Sequence, residues 1–276
     1  MTEPRSWLFV PADSERKIAK ALDSEADAVI FDLEDSVAPT QKAAARDILK
    51  GFVPREGGPQ WWVRVNPLGS EFIKDDLKLI GVSDVHGIVL PKAESGADVV
   101  QLAHRTGNIP IHAIVTETAA SLFGLMSYRD PKSPLAAMSW GAEDLSAALG
   151  ASSKYDADGD LSFTYRLARS LCLAGAVAAG VQPVDGVFAD FKDNEGLRVE
   201  AEAARREGFT GKLAIHPAQV ATINSAFSPS GDDVRHAEEI VAAFEAHPEA
   251  GVLSVGGKMV DRPHLVQARR VLARAR

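Results

Sequence analysis

Two carboxylates, each placed soon after an apolar run, are the residues whose type and spacing most strongly indicate chemistry. Glu117 follows residues 111–116, and Asp144 follows residues 136–140 after a short glycine-containing step. If the two runs are neighbouring strands of a barrel, their carboxylates converge at the same rim. Two carboxylates completed by water and a chelating substrate suit Mg²⁺, which keeps most of its hydration shell. These positions predict a magnesium site, with salt-bridged rim carboxylates as the structural alternative.

An arginine and an acidic cluster are predicted to lie at the same rim. Arg64 ends one apolar run, and Asp32, Glu34 and Asp35 end another. A guanidinium at the mouth of a barrel suits bidentate capture of a substrate carboxylate. The structural alternative is an ion pair between Arg64 and one of the three acids, and both interpretations hold if that pair fixes the arginine. The remaining acids are expected to hold a metal-bound water or to cap the next helix.

Three further residues have both a chemical and a structural interpretation. Lys92 ends the fourth apolar run, where it is equally suited to contact a phosphate or to pair with Glu94. His216 ends the eighth run, and a lone histidine there is more often a hydrogen-bonded structural residue than a general base. Cys172 lies in an apolar stretch, so we expect a buried core residue rather than a nucleophile.

Eight short apolar runs, each ending in polar or charged residues, alternate with helix-like stretches along the chain. They cover residues 6–11, 28–31, 61–63, 87–91, 111–116, 136–140, 184–188 and 212–215. Continuous apolar runs are typical of parallel strands that are buried on both faces. A doubly wound sheet shares this pattern, but eight units in 276 residues favour a barrel, whose typical size is about 250 residues. The predicted fold is α/β, a (β/α)₈ TIM barrel with a C-terminal extension.

Two regions depart from the alternation of runs and helices. The barrel is expected to occupy residues 1–227, and residues 228–276 are expected to form a C-terminal extension of helices and loops. This extension is predicted to lack a core of its own and therefore to pack on the barrel or on a neighbouring subunit. Residues 151–160 form a long polar loop after the sixth strand, where substrate lids are common. Its alternating aspartates resemble a calcium loop, but no glutamate ligand follows at the right position, which disfavours calcium.

The composition indicates an ordinary globular protein and disfavours several function classes. Hydrophobic residues make up 46% of the chain, and the formal net charge of −8 disfavours a nucleic-acid surface. One cysteine rules out an intramolecular disulfide, and the absence of His-x-x-His and Cys-x-x-Cys spacings disfavours zinc. No apolar run reaches the roughly 18 residues of a membrane span, and the N-terminus does not resemble a signal peptide. These features predict a soluble cytoplasmic protein with neither nucleic-acid nor membrane partners.

Eight segments, taken together and in order along the chain, carry a resemblance to a known family. They are RSWLFVP at 5–11, DLEDSVAP at 32–39, VRVNP at 63–67, LPK at 90–92, ETA at 117–119, GAEDL at 141–145, KLAIHP at 212–217 and MVDRP at 259–263. The chain resembles the citrate lyase β-subunit and malyl-CoA lyase family over essentially its whole length. The joint occurrence of the segments is specific, although each alone is weak.

The resemblance implies a (β/α)₈ barrel that binds Mg²⁺ and cleaves or forms a carbon–carbon bond in 3-hydroxy-acyl thioesters, usually of CoA. By their places in the segments, Glu117 and Asp144 are similar to the metal ligands of the family, and Glu117 also borders the substrate. Arg64 is similar to the arginine that holds the keto-acid or hydroxy-acid carboxylate. Asp261 resembles a C-terminal acid that reaches the active site of a neighbouring subunit, which implies a homotrimer. A carboxylate there could exchange the proton at the enolate carbon.

The resemblance also implies the ligands. Arg5, Arg16 and Lys92 occupy stretches expected to approach the phosphates of CoA, which is part of the substrate. The products would be acetyl-CoA or another acyl-CoA and a keto acid of the oxaloacetate, glyoxylate or pyruvate class. Three alternatives stay open: hydrolysis of malyl-CoA after condensation, an aldolase acting on free 2-keto acids, and a non-catalytic barrel that binds acyl-CoA or a dicarboxylate.

Overall fold

The apolar runs of the sequence become the wall of a closed barrel. A computed structural model of the chain describes residues 3–130 and 133–275, and in this part eight parallel strands pair in chain order, the first also pairing with the eighth. The strands are β1 (Ser6–Pro11), β2 (Ala28–Asp32), β3 (Gln60–Arg64), β4 (Gly87–Leu90), β5 (Ile111–Ile114), β6 (Leu135–Ser139), β7 (Gln182–Asp185) and β8 (Gly211–Ala214). The predicted (β/α)₈ barrel is confirmed.

Helices connect the strands and continue beyond β8. They are α1 (Glu15–Leu22), α2 (Lys42–Lys50), α3 (Ile73–Ile80), α4 (Gly96–Thr106), α5 (Ser121–Gly124), α6 (Ala142–Leu149), α7 (Phe163–Ala179), α8 (Asn194–Glu207), α9 (Val220–Phe227), α10 (Gly231–Ala246) and α11 (Arg262–Arg274). Side-chain caps fix several of their starts, as where Ser14 accepts a hydrogen bond from the Lys17 amide at α1. Within residues 3–130 and 133–275, no helix has the length and apolar character needed to cross a bilayer.

Aromatic side chains fill the interior of the barrel. The rings of Trp7 and Trp62 meet edge to face with centroids 4.9 Å apart, and the His112 ring lies 4.6 Å from Trp7. Gly87 is required beside them, because a Cβ atom there would lie 2.1 Å from the Trp62 ring. His112 Nε2 shares a hydrogen bond of 2.9 Å with the Ser139 hydroxyl, and burial lowers the His112 pKa to about 3. The imidazole is therefore a neutral part of the core.

A buried ionic network joins β7 and β8 to the helices that flank them. Asp185 accepts hydrogen bonds of 2.8 Å from Arg169 Nε, Trp140 Nε1 and Lys212 Nζ. Lys212 also bonds Glu200, at 2.7 Å. Burial alone would raise the pKa of Asp185, but the two cations hold it well below its ordinary value. The positive charges of Arg169 and Lys212 and the negative charges of Asp185 and Glu200 therefore compensate one another inside the protein.

The C-terminal part of the chain forms a second compact unit, which begins at Ser225, while the barrel unit spans Glu3–Asn224. In it, β9 (Val252–Val255) and β10 (Lys258–Asp261) form an antiparallel hairpin around Gly256 and Gly257, whose φ angles of 57° and 76° favour glycine. The expectation that this region lacks a core was wrong. Helices α10 and α11 and the hairpin bury one another's apolar side chains. The resulting hydrophobic cluster consists of Ala237, Ile240, Phe244, Val255, Val260, Leu265 and Ala268.

Candidate active site

The ends of five neighbouring strands bring together the charged residues predicted at the rim. All parallel strands of a barrel end at the same rim, so side chains that follow them converge. We call the following seven residues the rim cluster: Asp32, Glu34, Asp35, Arg64, Lys92, Glu117 and Asp144.

Arg64 is locked by two acids of the cluster. Its Nε and Nη2 donate to the two oxygens of Asp32 at 2.7 and 2.6 Å, and Nη1 lies 3.0 Å from Glu34. The guanidinium also lies 4.7 Å from the centroid of the Phe9 ring. Burial opposes the charge of Arg64, but Asp32 outweighs it and raises the arginine pKa. The ion pair that the sequence offered as an alternative is present, and it fixes the orientation of the arginine.

Lys92 occupies the centre of the rim cluster. Its ammonium lies 2.6 Å from Glu34, 3.1 Å from Asp35 and 3.2 Å from Asp144. Pairing with Glu94 was one of two interpretations of Lys92; within the described residues its ammonium pairs with these three acids, and Glu94 accepts a hydrogen bond from the Thr118 hydroxyl. An ammonium shared by three carboxylates has little capacity left for the CoA phosphate that the resemblance implied for Lys92.

Glu117 is 4% exposed and sits in a pocket left open by Gly141, where a Cβ atom would lie 2.7 Å from Glu117 Cγ. One carboxylate oxygen accepts a hydrogen bond of 2.5 Å from the Lys92 backbone N–H. The other makes no hydrogen bond within the described part of the chain. Burial, with the nearby charges of Asp144 and Glu34, raises the pKa of Glu117 to about 8.

Asp144 lies in the first turn of α6, where the helix dipole favours a carboxylate, and its side chain is 32% exposed. Its ionic contact is with the Lys92 ammonium, and its charge contributes to the raised pKa of Glu117. Among residues 3–130 and 133–275, no three or more His, Cys, Asp or Glu side chains are arranged to enclose a metal ion. Any cation at the rim would therefore be held by few protein ligands and would keep water or substrate in its remaining positions.

A cleft of about 500 Å³ opens beside the rim at the ends of β1 and β8. Helix α1 contributes Arg16, Lys17 and Lys20 to its wall, and the opposite wall contains His216. The imidazole of His216 accepts a hydrogen bond from the Ala218 amide and so caps the turn that follows β8, as the structural interpretation expected. Sequence reasoning selected Arg16 alone, although the spacing of the three cations on one helix was a usable signal.

Besides Arg16, two predicted site residues are not members of the rim cluster. Arg5 precedes β1, at the amino end of the barrel, where its guanidinium and backbone amide bond both oxygens of Asp27 at 2.8 to 2.9 Å. The resemblance implied that its stretch approaches the phosphates of CoA, whereas Arg5 lies at the strand ends opposite the rim and is paired with Asp27. Asp261 belongs to the C-terminal unit, where its carboxylate caps α11 and lies 2.5 Å from His264 Nδ1.

Comparison with known proteins agrees with this geometry. A family model described as HpcH/HpaI aldolase/citrate lyase matches residues 5–217. The (3S)-malyl-CoA thioesterase of Cereibacter sphaeroides is 38% identical over 275 residues, covering 98% of this chain and 94% of the relative. The mitochondrial citramalyl-CoA lyase of Homo sapiens is 33% identical over 294 residues, covering 98% and 85% of the two chains.

A solved structure shows the same fold over nearly the whole chain. The crystal structure of CitE from Mycobacterium tuberculosis in complex with magnesium, acetoacetate and coenzyme A has a TM-score of 0.84 and 38% sequence identity to this protein. The match covers 98% of this chain and 97% of that chain. With this fold and the family match over residues 5–217, the chain belongs to the HpcH/HpaI aldolase/citrate lyase family.

Proposed function

We propose that the protein is a Mg²⁺-dependent carbon–carbon lyase that cleaves or forms a short 3-hydroxy-acyl-CoA thioester. Its other products or substrates are acetyl-CoA or another acyl-CoA and a keto acid of the oxaloacetate, glyoxylate or pyruvate class. The observation that carries the proposal is the excess of carboxylates in the rim cluster, where five acids face two cations. Counting Lys42, whose ammonium bonds the carbonyls of Leu33 and Glu34, the acids remain in excess by two.

Glu117 and Asp144 fit the ligand set of a magnesium ion. Both offer carboxylate oxygens, which are the ligands that Mg²⁺ prefers, and one oxygen of the buried Glu117 makes no hydrogen bond within residues 3–130 and 133–275. Bound Mg²⁺ would act as a Lewis acid toward the hydroxyl or keto oxygen of the substrate. The solved relative that contains magnesium, acetoacetate and coenzyme A supports magnesium as the cation.

Arg64 would bind and orient the substrate carboxylate. A guanidinium has five N–H donors; here one on Nε and one on Nη2 donate to Asp32, and Nη1 lies at ion-pairing distance, 3.0 Å, from Glu34. One donor on Nη2 and two on Nη1 make no hydrogen bond to these acids, so a substrate carboxylate can accept from both terminal nitrogens. Because Asp32 and Glu34 hold the guanidinium plane before substrate arrives, little side-chain freedom is lost on binding.

The cationic wall of the cleft beside the rim would receive the phosphates of CoA. Arg16, Lys17 and Lys20 face the cleft from α1, and Phe9 lines it near Arg64. Three cations on one helix can neutralise several phosphate charges. The thioester end of the substrate would then extend from the cleft toward Arg64 and Glu117.

Asp261 is the proposed proton carrier of the reaction. In the cleavage direction the substrate hydroxyl loses its proton, the carbon–carbon bond breaks, and the departing thioester enolate takes up a proton at carbon. A carboxyl group can supply that proton and, in condensation, remove it again. The hydrogen bond from His264 lowers the pKa of Asp261, which favours the carboxylate form used in condensation.

Assembly into a homotrimer is part of the proposal, with Asp261 serving the site of a neighbouring subunit. Cyclic symmetry gives each subunit one donated and one received segment. Asp261→Ala should therefore abolish activity, and mixing it with an Arg64→Ala chain should restore part of it, since mixed trimers contain some intact sites. No restoration despite proven subunit exchange would contradict a shared site.

A second candidate, hydrolysis of malyl-CoA, is favoured by the identity to a (3S)-malyl-CoA thioesterase. The deciding experiment incubates the protein and Mg²⁺ with a panel of hydroxyacyl-CoAs and separates the products. The lyase gives acyl-CoA and a keto acid, whereas the thioesterase gives free CoA and the hydroxy acid. Glu117→Gln is the control, and binding without turnover across the panel would contradict both enzymatic proposals.

A further inference from the structure

Lys92 contacts both proposed metal ligands, and it uses a different group for each. Its backbone N–H donates to Glu117 Oε2 at 2.5 Å, while its ammonium lies 3.2 Å from Asp144 Oδ1. The same ammonium is 2.6 Å from Glu34 and 3.1 Å from Asp35. One residue therefore joins carboxylates that follow three different strands.

The backbone of Lys92 adopts an unusual conformation to make these contacts. Its φ of 52° is left-handed, and no other non-glycine residue in the described part of the chain has a positive φ. A side chain in this region costs about 1–2 kcal/mol, and such strain is kept where surrounding contacts over-determine it. Here the Glu117 carboxylate holds the Lys92 amide, and the next amide, of Ala93, bonds the Ile114 carbonyl at 3.3 Å.

We propose that the Lys92 ammonium is a built-in counter-ion, which holds the metal-free rim together and competes with the divalent cation for Asp144. The inference rests on the proposed metal site at Glu117 and Asp144. An ammonium has three N–H donors; here it donates to Glu34 and Asp35, and Asp144 lies at ion-pairing distance, 3.2 Å away. A cation that binds Asp144 must displace the longest of these contacts, while the shortest, to Glu34, can remain.

Removing the ammonium should have two opposite effects. Lys92→Met keeps an unbranched side chain only one atom shorter and leaves the backbone amide in place, but it deletes the charge. Affinity for a divalent cation should rise about tenfold, because a competing cation disappears and the negative excess grows by one charge. Catalytic efficiency at saturating Mg²⁺ should fall at least about tenfold, because Glu34 loses the ammonium that positions it when the metal is bound. A residue with a merely structural role would lower both quantities.

The test is a titration of the full-length protein with Mn²⁺, in which electron paramagnetic resonance measures the free ion. Lys92→Met should bind Mn²⁺ about tenfold more tightly than wild type, whereas Lys92→Arg, which keeps the charge, should stay within about threefold. Lys154→Met is the matched control. It deletes a cation paired with Glu143, the chain neighbour of Asp144, and should change affinity by less than about twofold.

Two results would overturn the inference, and only the second would also contradict the proposed metal site. If wild type binds Mn²⁺ more tightly than Glu117→Gln but Lys92→Met binds no better than wild type, Lys92 is not a competing counter-ion and the metal site stands. If Glu117→Gln and wild type bind Mn²⁺ equally, the proposed metal site fails, and the inference fails with it. Equal thermal melting of the variants would confirm that folded proteins are compared.

Discussion

Two carboxyl groups near strand ends of this barrel are almost fully buried, yet their pKa values move in opposite directions. Asp185 is 0% exposed and Glu117 is 4% exposed. Burial raises the pKa of both, but Lys212 and Arg169 contact Asp185 directly and reverse the effect. Glu117 receives one backbone hydrogen bond and has acidic neighbours, so its pKa rises to about 8.

The comparison separates charge that stabilises the fold from charge that is available for binding. In the Asp185 network each buried charge has a partner at hydrogen-bonding distance, and nothing further is needed. In the rim cluster the acids exceed the cations, which leaves a place for an added cation. Burial alone does not distinguish the two regions, whereas the balance of charged partners does.

The largest expected effect comes from breaking the balanced region. Lys212→Met leaves Asp185 buried with one cation fewer and should lower the free energy of unfolding by about 3–5 kcal/mol. Glu117→Gln should change it by less than about 1 kcal/mol, because the Glu117 carboxyl already carries its proton at neutral pH. Urea unfolding measures both, with the exposed Lys192→Met as control. Similar losses in the two buried variants would break the distinction.

The next largest effect compares two arginines that each donate two hydrogen bonds to the carboxylate of one aspartate, a pairing called here a fork. Arg64→Lys should lower kcat/KM about 100-fold, since one ammonium cannot bond Asp32, Glu34 and a substrate carboxylate in the same plane. Arg5→Lys changes an equivalent fork with Asp27 at the other end of the barrel and should leave kcat/KM within about twofold. Steady-state kinetics on both variants decides. Equal losses would mean that the Arg64 fork acts only through stability.

The smallest expected effect concerns the neutral His112 in the barrel core. Its folded pKa of about 3 lies below the ordinary 6.5, so the unfolded chain takes up a proton first as the pH falls through 6.5. Stability from this group is complete above pH 6.5 and is lost toward pH 3, by about 2 kcal/mol between pH 7 and 5. His112→Gln should flatten that part of the urea-derived stability profile. An unchanged slope would show that another group titrates.

Local patterns were sufficient to predict the barrel and much of its rim. Continuous apolar runs locate the strands, and parallel strand ends share one rim, so Arg64, Glu117 and Asp144 could be placed near one another from spacing alone. The Asp32 partner of Arg64 was also foreseeable, because it ends the neighbouring strand.

Features set by three-dimensional closure could not be predicted in this way. Lys92 has a left-handed backbone, and its ammonium contacts Glu34 rather than the nearby Glu94. A lysine in the sequence does not predict that backbone conformation. Arg5 was expected to approach CoA because it belongs to a recognisable segment, although it precedes the strand. The C-terminal cluster was missed because its members alternate with polar residues over two helices and a hairpin.

The central claim is that burial, together with the acidic neighbours Asp144 and Glu34, raises the pKa of Glu117, and that a divalent cation bound at the rim displaces its proton. Calorimetric titration with Mg²⁺ at pH 7, in two buffers of different ionisation enthalpy, counts the protons released on binding. Because the Glu117 pKa is about 8, most molecules must lose that proton to bind the cation. We expect close to one proton released per Mg²⁺ in wild type, declining above pH 8, and none from Glu117→Gln, which should bind weakly. Equal affinity and proton release in the two proteins would contradict the account.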